Sequence, residues 1–153
     1  MFTSRYIHTN IAAVDWQKLS RFYEDVFGCQ PVPPERHLTG PWVCDGTGLR
    51  NAEIHGQHLR LPGCGEDGPT LEIFEYLPKL DHPSTQINRP GFGHIAFLVD
   101  DIGEAQRAVL AAGGGKVGKA VGLTIGNVQI EFIYLYDPEG NVIELQRRSL
   151  IED

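Results

Sequence analysis

The chain has 153 residues, with 13 basic against 20 acidic side chains and a formal net charge of -7 at neutral pH. That length suits one ordinary domain able to bury a core without staples, and the acidic balance excludes the clustered Lys and Arg that a nucleic-acid or anionic-membrane surface needs. No stretch approaches the roughly 20 apolar residues of a membrane span, and the opening MFTSRYIHTN lacks the apolar stretch of a secretory signal, so a cytoplasmic protein is expected.

In chain order, the first apolar segment starts at His8 in IHTNIAAVD and leads into a helix. Asp15 is its N-cap, Gly28 ends it, and Trp16, Leu19, Phe22, Tyr23, Val26 and Phe27 form its core stripe. The stretch from Gln30 to Gly68 is rich in Pro, Gly, His and Arg. HLRLPG and GPTLEIFEY then read as strands separated by the turn material GCGEDGP. From 78 to 92 the chain carries Pro78, Pro83 and Pro90 without a regular period, as a linker does. His94 opens GHIAFLVD, and a second helix follows with Asp101 as N-cap, Glu104 at capping-box spacing, Ile102, Ala105, Val109 and Ala112 as its stripe, and Gly113 at its end. The chain closes with VQIEFIYLYDPEGNVIELQRR, two strands around the turn Asp137-Pro138-Glu139-Gly140. Cys29, Cys44 and Cys64 form no CxxC pair and read as ordinary thiols.

The two halves repeat one another. His8 to Asp15 and His94 to Asp101 have the same spacing, each a His-led apolar segment running into a capped helix. The expected class is α+β, one domain over 1–153 built from two βαβββ modules at about 5–77 and 93–148. A single module leaves one sheet face uncovered, so two are expected to combine, within the chain or across a homodimer.

Strand alternation then sorts the polar residues. Val142, Glu144 and Gln146 share one face and Ile143 and Leu145 the other; Thr70, Glu72, Phe74 and Tyr76 lie together, opposite Leu71 and Ile73. A lone His at the edge of an apolar strand is more often packed than ligating, and a lone strand Glu more often exposed or ion-paired. Here two His and two Glu fall at repeat-related positions: His8 and His94 in the first strands, Glu72 and Glu144 in the last. Two neighbouring carboxylates repel unless a cation lies between them. Two imidazoles and two carboxylates suit one divalent ion of Ni, Co, Zn, Mn or Fe(II) rather than Ca or Mg.

The His-x6-Asp openings, FYEDVFG closing the first helix and DPEGNVIEL near the end resemble the vicinal oxygen chelate superfamily, over nearly the whole chain from Tyr6 to Arg147. That superfamily includes glyoxalase I, methylmalonyl-CoA epimerase, extradiol dioxygenases, and fosfomycin-resistance and bleomycin-binding proteins. The resemblance implies tandem modules forming a half-barrel-like concave sheet, with metal ligands at His8, Glu72, His94 and Glu144. It also implies a glyoxalase I-like isomerase or lyase, of lactoylglutathione lyase or acyl-CoA epimerase type. Glu144 or Glu72 would move a proton beside two chelated oxygens of a small-molecule substrate. Arg60, His58, Trp42, Arg50 and His55 are candidates for the substrate's polar or anionic end, while His37 and His82 are expected in solvent. The alternatives are an Fe(II) extradiol ring-cleaving dioxygenase and a non-catalytic drug- or metabolite-binding protein.

Overall fold

The computed structural model describes residues 2–81, 84 and 86–151. The chain divides into two compact units, Met1–His82 and Pro83–Asp153, each with its own sheet. Pro83 and His82, named above in the linker and as a solvent-facing histidine, lie outside the described residues.

In the first unit, β1 (His8–Ala12) leads to α1 (Trp16–Phe27). The Asp15 carboxylate accepts the Lys18 backbone N–H at 3.1 Å, capping an otherwise unpaired first turn. Gly28 closes the helix at φ 69°, a left-handed position that a side chain disfavours, and the Gly28 and Cys29 N–H groups donate to the Glu24 and Tyr23 carbonyls. Leu19, Phe22 and Tyr23 are buried, and α1 packs on two of the strands that follow.

Those strands are β2 (Gln30–Leu38), β3 (Glu53–Arg60) and β4 (Thr70–Leu77), with a short helix, α2 (Pro41–Thr47), between the first two. The sheet order is β1-β4-β3-β2, with β1 parallel to β4 and the other pairs antiparallel. The Gln30–Gly68 stretch is thus more regular than its composition suggests. β2 carries Pro31, Pro33 and Pro34 because it is an edge strand, where a residue without an N–H costs no ladder bond.

Register divides the sheet cleanly. Leu59, Leu71 and Ile73 lie on the face that meets α1, and each is buried, a contribution of roughly 1.5–3 kcal/mol apiece. On the other face, α2 covers one end: Val43 and Ala52 pack with Ile54 and Phe74, and Leu38 and Tyr76 border them. The rest of that face carries Glu72.

The second unit repeats the plan. β5 (His94–Leu98) leads to α3 (Ile102–Ala111), capped by the Asp101 carboxylate, which accepts the Glu104 N–H at 2.7 Å. β6 (Gly115–Lys116) and β7 (Val121–Ile125) both pair with β8 (Val128–Tyr136), which pairs with β9 (Val142–Leu150), itself parallel to β5. The strand that corresponds to β2 is therefore broken in two. Ile102 and Val109 are buried with Ile133, Leu135, Ile143 and Leu145, while Ala112, expected in the α3 stripe, is exposed because the helix has already ended.

Candidate metal centre

The first unit assembles its polar residues by cross-strand pairing. His8 lies opposite Thr70 and Asn10 opposite Glu72 on one side of β4; Arg60 lies opposite Thr70 and His58 opposite Glu72 on the other. Directly opposed residues present their side chains on the same face. All six therefore share the face that α1 does not cover.

Glu72 is 9 % exposed, and both its oxygens are engaged. Oε2 lies 3.3 Å from His8 Nε2 and accepts from Asn10 Nδ2 at 3.2 Å, while Oε1 lies 3.0 Å from His58 Nε2. His58 Nδ1 is 2.9 Å from the Thr70 hydroxyl, so a neutral His58 can donate to Glu72 while accepting from Thr70. Burial pushes the His58 imidazole below its usual range; Glu72 opposes this, and Arg36 and His8 reinforce it. The Tyr76 phenol is pushed up, first by burial and then by the Glu72 charge.

The second unit places Glu144, 6 % exposed, in the corresponding position. Its Oε2 lies 2.8 Å from His94 Nε2, and its Oε1 accepts a short hydrogen bond from Gln146 Nε2. Gln146 is itself held by Arg148, whose Nε and Nη2 donate to Gln146 Oε1 at 3.1 and 2.8 Å. Tyr134 lies opposite Glu144 with its ring 5.2 Å from that of His94, and burial followed by the Glu144 charge pushes its phenol up.

Each unit thus sets the histidine of its first strand beside one oxygen of a buried carboxylate, and in the first unit His58 holds the other oxygen. Ligands about 2.1 Å from a tetrahedral ion stand about 3.4 Å from one another. The His8–Glu72 and His94–Glu144 spacings fit that requirement with small side-chain adjustments. The donor chemistry also fits, since a buried carboxylate needs a compensating charge and neutral imidazole is a ligand for late divalent metals.

The substrate candidates separate. Arg60 is half-buried on the Glu72 face, as alternation required, and His58 faces Glu72 itself. Trp42 on α2 and Arg50 in the turn beyond it are exposed, and neither has a hydrogen bond, ion pair or ring contact with His8, His58 or Glu72 among the described residues. His55 lies on the opposite sheet face, opposed to Glu75. Alternation placed Thr70 on the Glu72 face without assigning it a partner, while Asn10 and Tyr134 escaped sequence reasoning. Their only signal is register, β1 against β4 for Asn10 and β8 against β9 for Tyr134.

A family model described as Glyoxalase/Bleomycin resistance protein/Dioxygenase superfamily matches residues 5–145. A probable lactoylglutathione lyase from Vibrio parahaemolyticus is 28% identical over 147 residues, covering 95% of this chain and 91% of that one. Among solved structures, a glyoxalase family protein from Bacillus cereus aligns with a TM-score of 0.74 at 20% identity, over 97% of this chain and 95% of that one. A genomically encoded fosfomycin resistance protein from Listeria monocytogenes aligns with a TM-score of 0.54 at 16% identity, over 98% and 96%. At these identities the structural likeness speaks to fold alone. With its repeated βαβββ plan and a family match across most of its length, the chain belongs to the Glyoxalase/Bleomycin resistance protein/Dioxygenase superfamily.

Proposed function

We propose that this chain is a divalent-metal-dependent isomerase or lyase of the glyoxalase I type, with His8, Glu72, His94 and Glu144 as its metal ligands. The observation that carries the reading is the repetition of one arrangement: a buried glutamate with an imidazole Nε2 at 3.3 Å in one unit and 2.8 Å in the other. The Vibrio parahaemolyticus relative, named a probable lactoylglutathione lyase, points the same way.

A bound divalent ion would supply positive charge beside two adjacent substrate oxygens, acidifying the neighbouring C–H. The chain's own residues do the rest. Glu72 or Glu144 takes the proton from one carbon and returns it to the next, and the handedness of the substrate selects which. Asn10 and His58 hold the Glu72 oxygens, and Gln146 holds one Glu144 oxygen, so each carboxylate keeps its orientation. Arg60, on the Glu72 face, receives the substrate's anionic end.

The test is metal analysis of protein purified without added metal, followed by assays on hemithioacetal, acyl-CoA and catechol substrates. One divalent ion per chain at these ligands and turnover of a hemithioacetal or acyl-CoA are expected, with both lost in Glu72→Gln and Glu144→Gln. Unchanged metal content and activity in those variants would overturn the ligand assignment, and cleavage of catechol alone would overturn the reaction.

A further inference from the structure

The opposite face of the first sheet carries a second set of donors. His37 on β2 lies directly opposite His55 on β3, and Glu53 lies two residues before His55, so all three side chains stand on the face away from Glu72. The His37 and His55 rings stack with centroids 4.2 Å apart and planes inclined by 29°. Both imidazoles turn Nε2 toward one carboxylate oxygen: Glu53 Oε2 is 3.4 Å from His55 Nε2 and 3.9 Å from His37 Nε2. One ligand atom from each of the three lies within 4.8 Å of the others.

We propose that His37, Glu53 and His55 form a second binding site, for a divalent transition ion of the zinc, nickel or cobalt class. Two nitrogens and one carboxylate oxygen are a donor set these ions prefer over Ca or Mg. Ligands of a tetrahedral ion at about 2.1 Å stand about 3.4 Å apart, so the 3.4 Å pair already matches and the 3.9 Å pair needs a few tenths of an ångström. The backbone is fixed on both sides of the cluster, since Arg36 pairs with Gly56 and Leu38 with Ile54.

Access is also suitable. The side chains of His37, Glu53 and His55 are 66, 47 and 30 % exposed, leaving room for water as the remaining ligand. Glu75, opposite His55, is already paired with Lys79 at 2.7 Å, which leaves Glu53 as the cluster's carboxylate. An ion here would tie the edge strand β2 to β3 just before the chain turns into α2.

This site does not depend on the function proposed above, and its test keeps the two apart. The 153-residue chain is stripped of metal and titrated with Zn2+, and bound zinc is counted by elemental analysis after gel filtration, alongside calorimetric affinities. His37→Ala and Glu53→Gln should each bind one equivalent fewer than wild type, or bind the last equivalent at least tenfold more weakly. The double variant His8→Ala/His94→Ala should retain one equivalent, which adding His55→Ala removes. His37 and Glu53 are exposed enough that their substitution leaves the fold intact by circular dichroism, so they decide the matter if His55→Ala fails to fold. Equal stoichiometry and affinity in wild type, His37→Ala and Glu53→Gln would overturn the second site, whatever happens at His8 and His94.

Discussion

His58 and Tyr134 occupy the same place in the two repeats: each lies directly opposite a buried glutamate on the neighbouring strand, His58 facing Glu72 and Tyr134 facing Glu144. The consequences differ. His58 contacts the carboxylate at 3.0 Å and is anchored behind by Thr70, whereas Tyr134 touches the His94 ring edge-on. Groups that orient a metal ligand are typically worth ten- to a hundredfold in affinity. His58→Phe should therefore weaken metal binding by about that factor, while Tyr134→Phe, which keeps the ring, should leave it nearly unchanged. Competition titrations with a chromogenic chelator measure both, and equal affinities for the two variants would count against a positioning role for His58.

The turn between β8 and β9 carries a second expectation. Asp137 is buried, and its carboxylate accepts from the Glu139 and Asn141 backbone N–H groups, each at 2.9 Å, and from Asn141 Nδ2 at 2.8 Å. Gly140, at φ 85°, completes the turn by donating to the Asp137 carbonyl. Asp137→Ala leaves three part-buried donors without their acceptor and should cost about 1–3 kcal/mol, with Asp137→Asn, which keeps one acceptor oxygen, costing less. The denaturant midpoint reads this directly; a midpoint within error of wild type in Asp137→Ala would show that the turn is held by other contacts.

That turn also shows what was legible in the sequence. DPEGN announces itself because the carboxylate, the proline and the glycine each serve a local backbone need that neighbours in sequence can state. The pairings of His8 with Glu72 and of His94 with Glu144 were legible because a repeat doubles a weak signal and strand alternation assigns a face. β2 was not visible, since three prolines mask a strand whose edge position is a property of the whole sheet. The stacking of His37 on His55 was equally hidden. It depends on a register shift between Val32 and Arg36, which no local pattern encodes.

The cysteines should differ sharply in reactivity. Cys29 is buried just past the end of α1, and burial, with a smaller push from the Glu24 charge, raises its thiol from the usual 9.0 to about 11. Cys64 is exposed in the turn before β4. Because the thiolate is the nucleophile, iodoacetamide at neutral pH should label Cys64 readily and Cys29 only on unfolding. The raised thiol also carries a sign: unfolded Cys29 loses its proton at lower pH than folded Cys29, so stability falls as pH rises from about 9 toward about 11. Mass-spectrometric peptide mapping tests the labelling. Early modification of Cys29 in native protein would show that its site opens far more easily than its burial implies.

Arg60 gives the most direct handle on the substrate. It shares its sheet face with His8 and Glu72 but, among the described residues, makes no hydrogen bond, ion pair or ring contact with either, so its removal leaves the metal ligands in place. If it receives the anionic end of the substrate, the interaction is present in both the ground state and the transition state, and its loss appears mainly in KM. A charge-assisted hydrogen bond of about 1.5–3 kcal/mol corresponds to a rise of roughly ten- to a hundredfold. Arg60→Gln should therefore raise KM by that order for an anionic hemithioacetal or acyl-CoA, with metal content unchanged and kcat little affected. Arg50→Gln, on the exposed turn beyond α2, serves as the control and should leave KM alone. Steady-state kinetics on the two variants decide the point: an equal effect from both, or a fall in kcat with KM unchanged for Arg60→Gln, would remove Arg60 from the substrate's path.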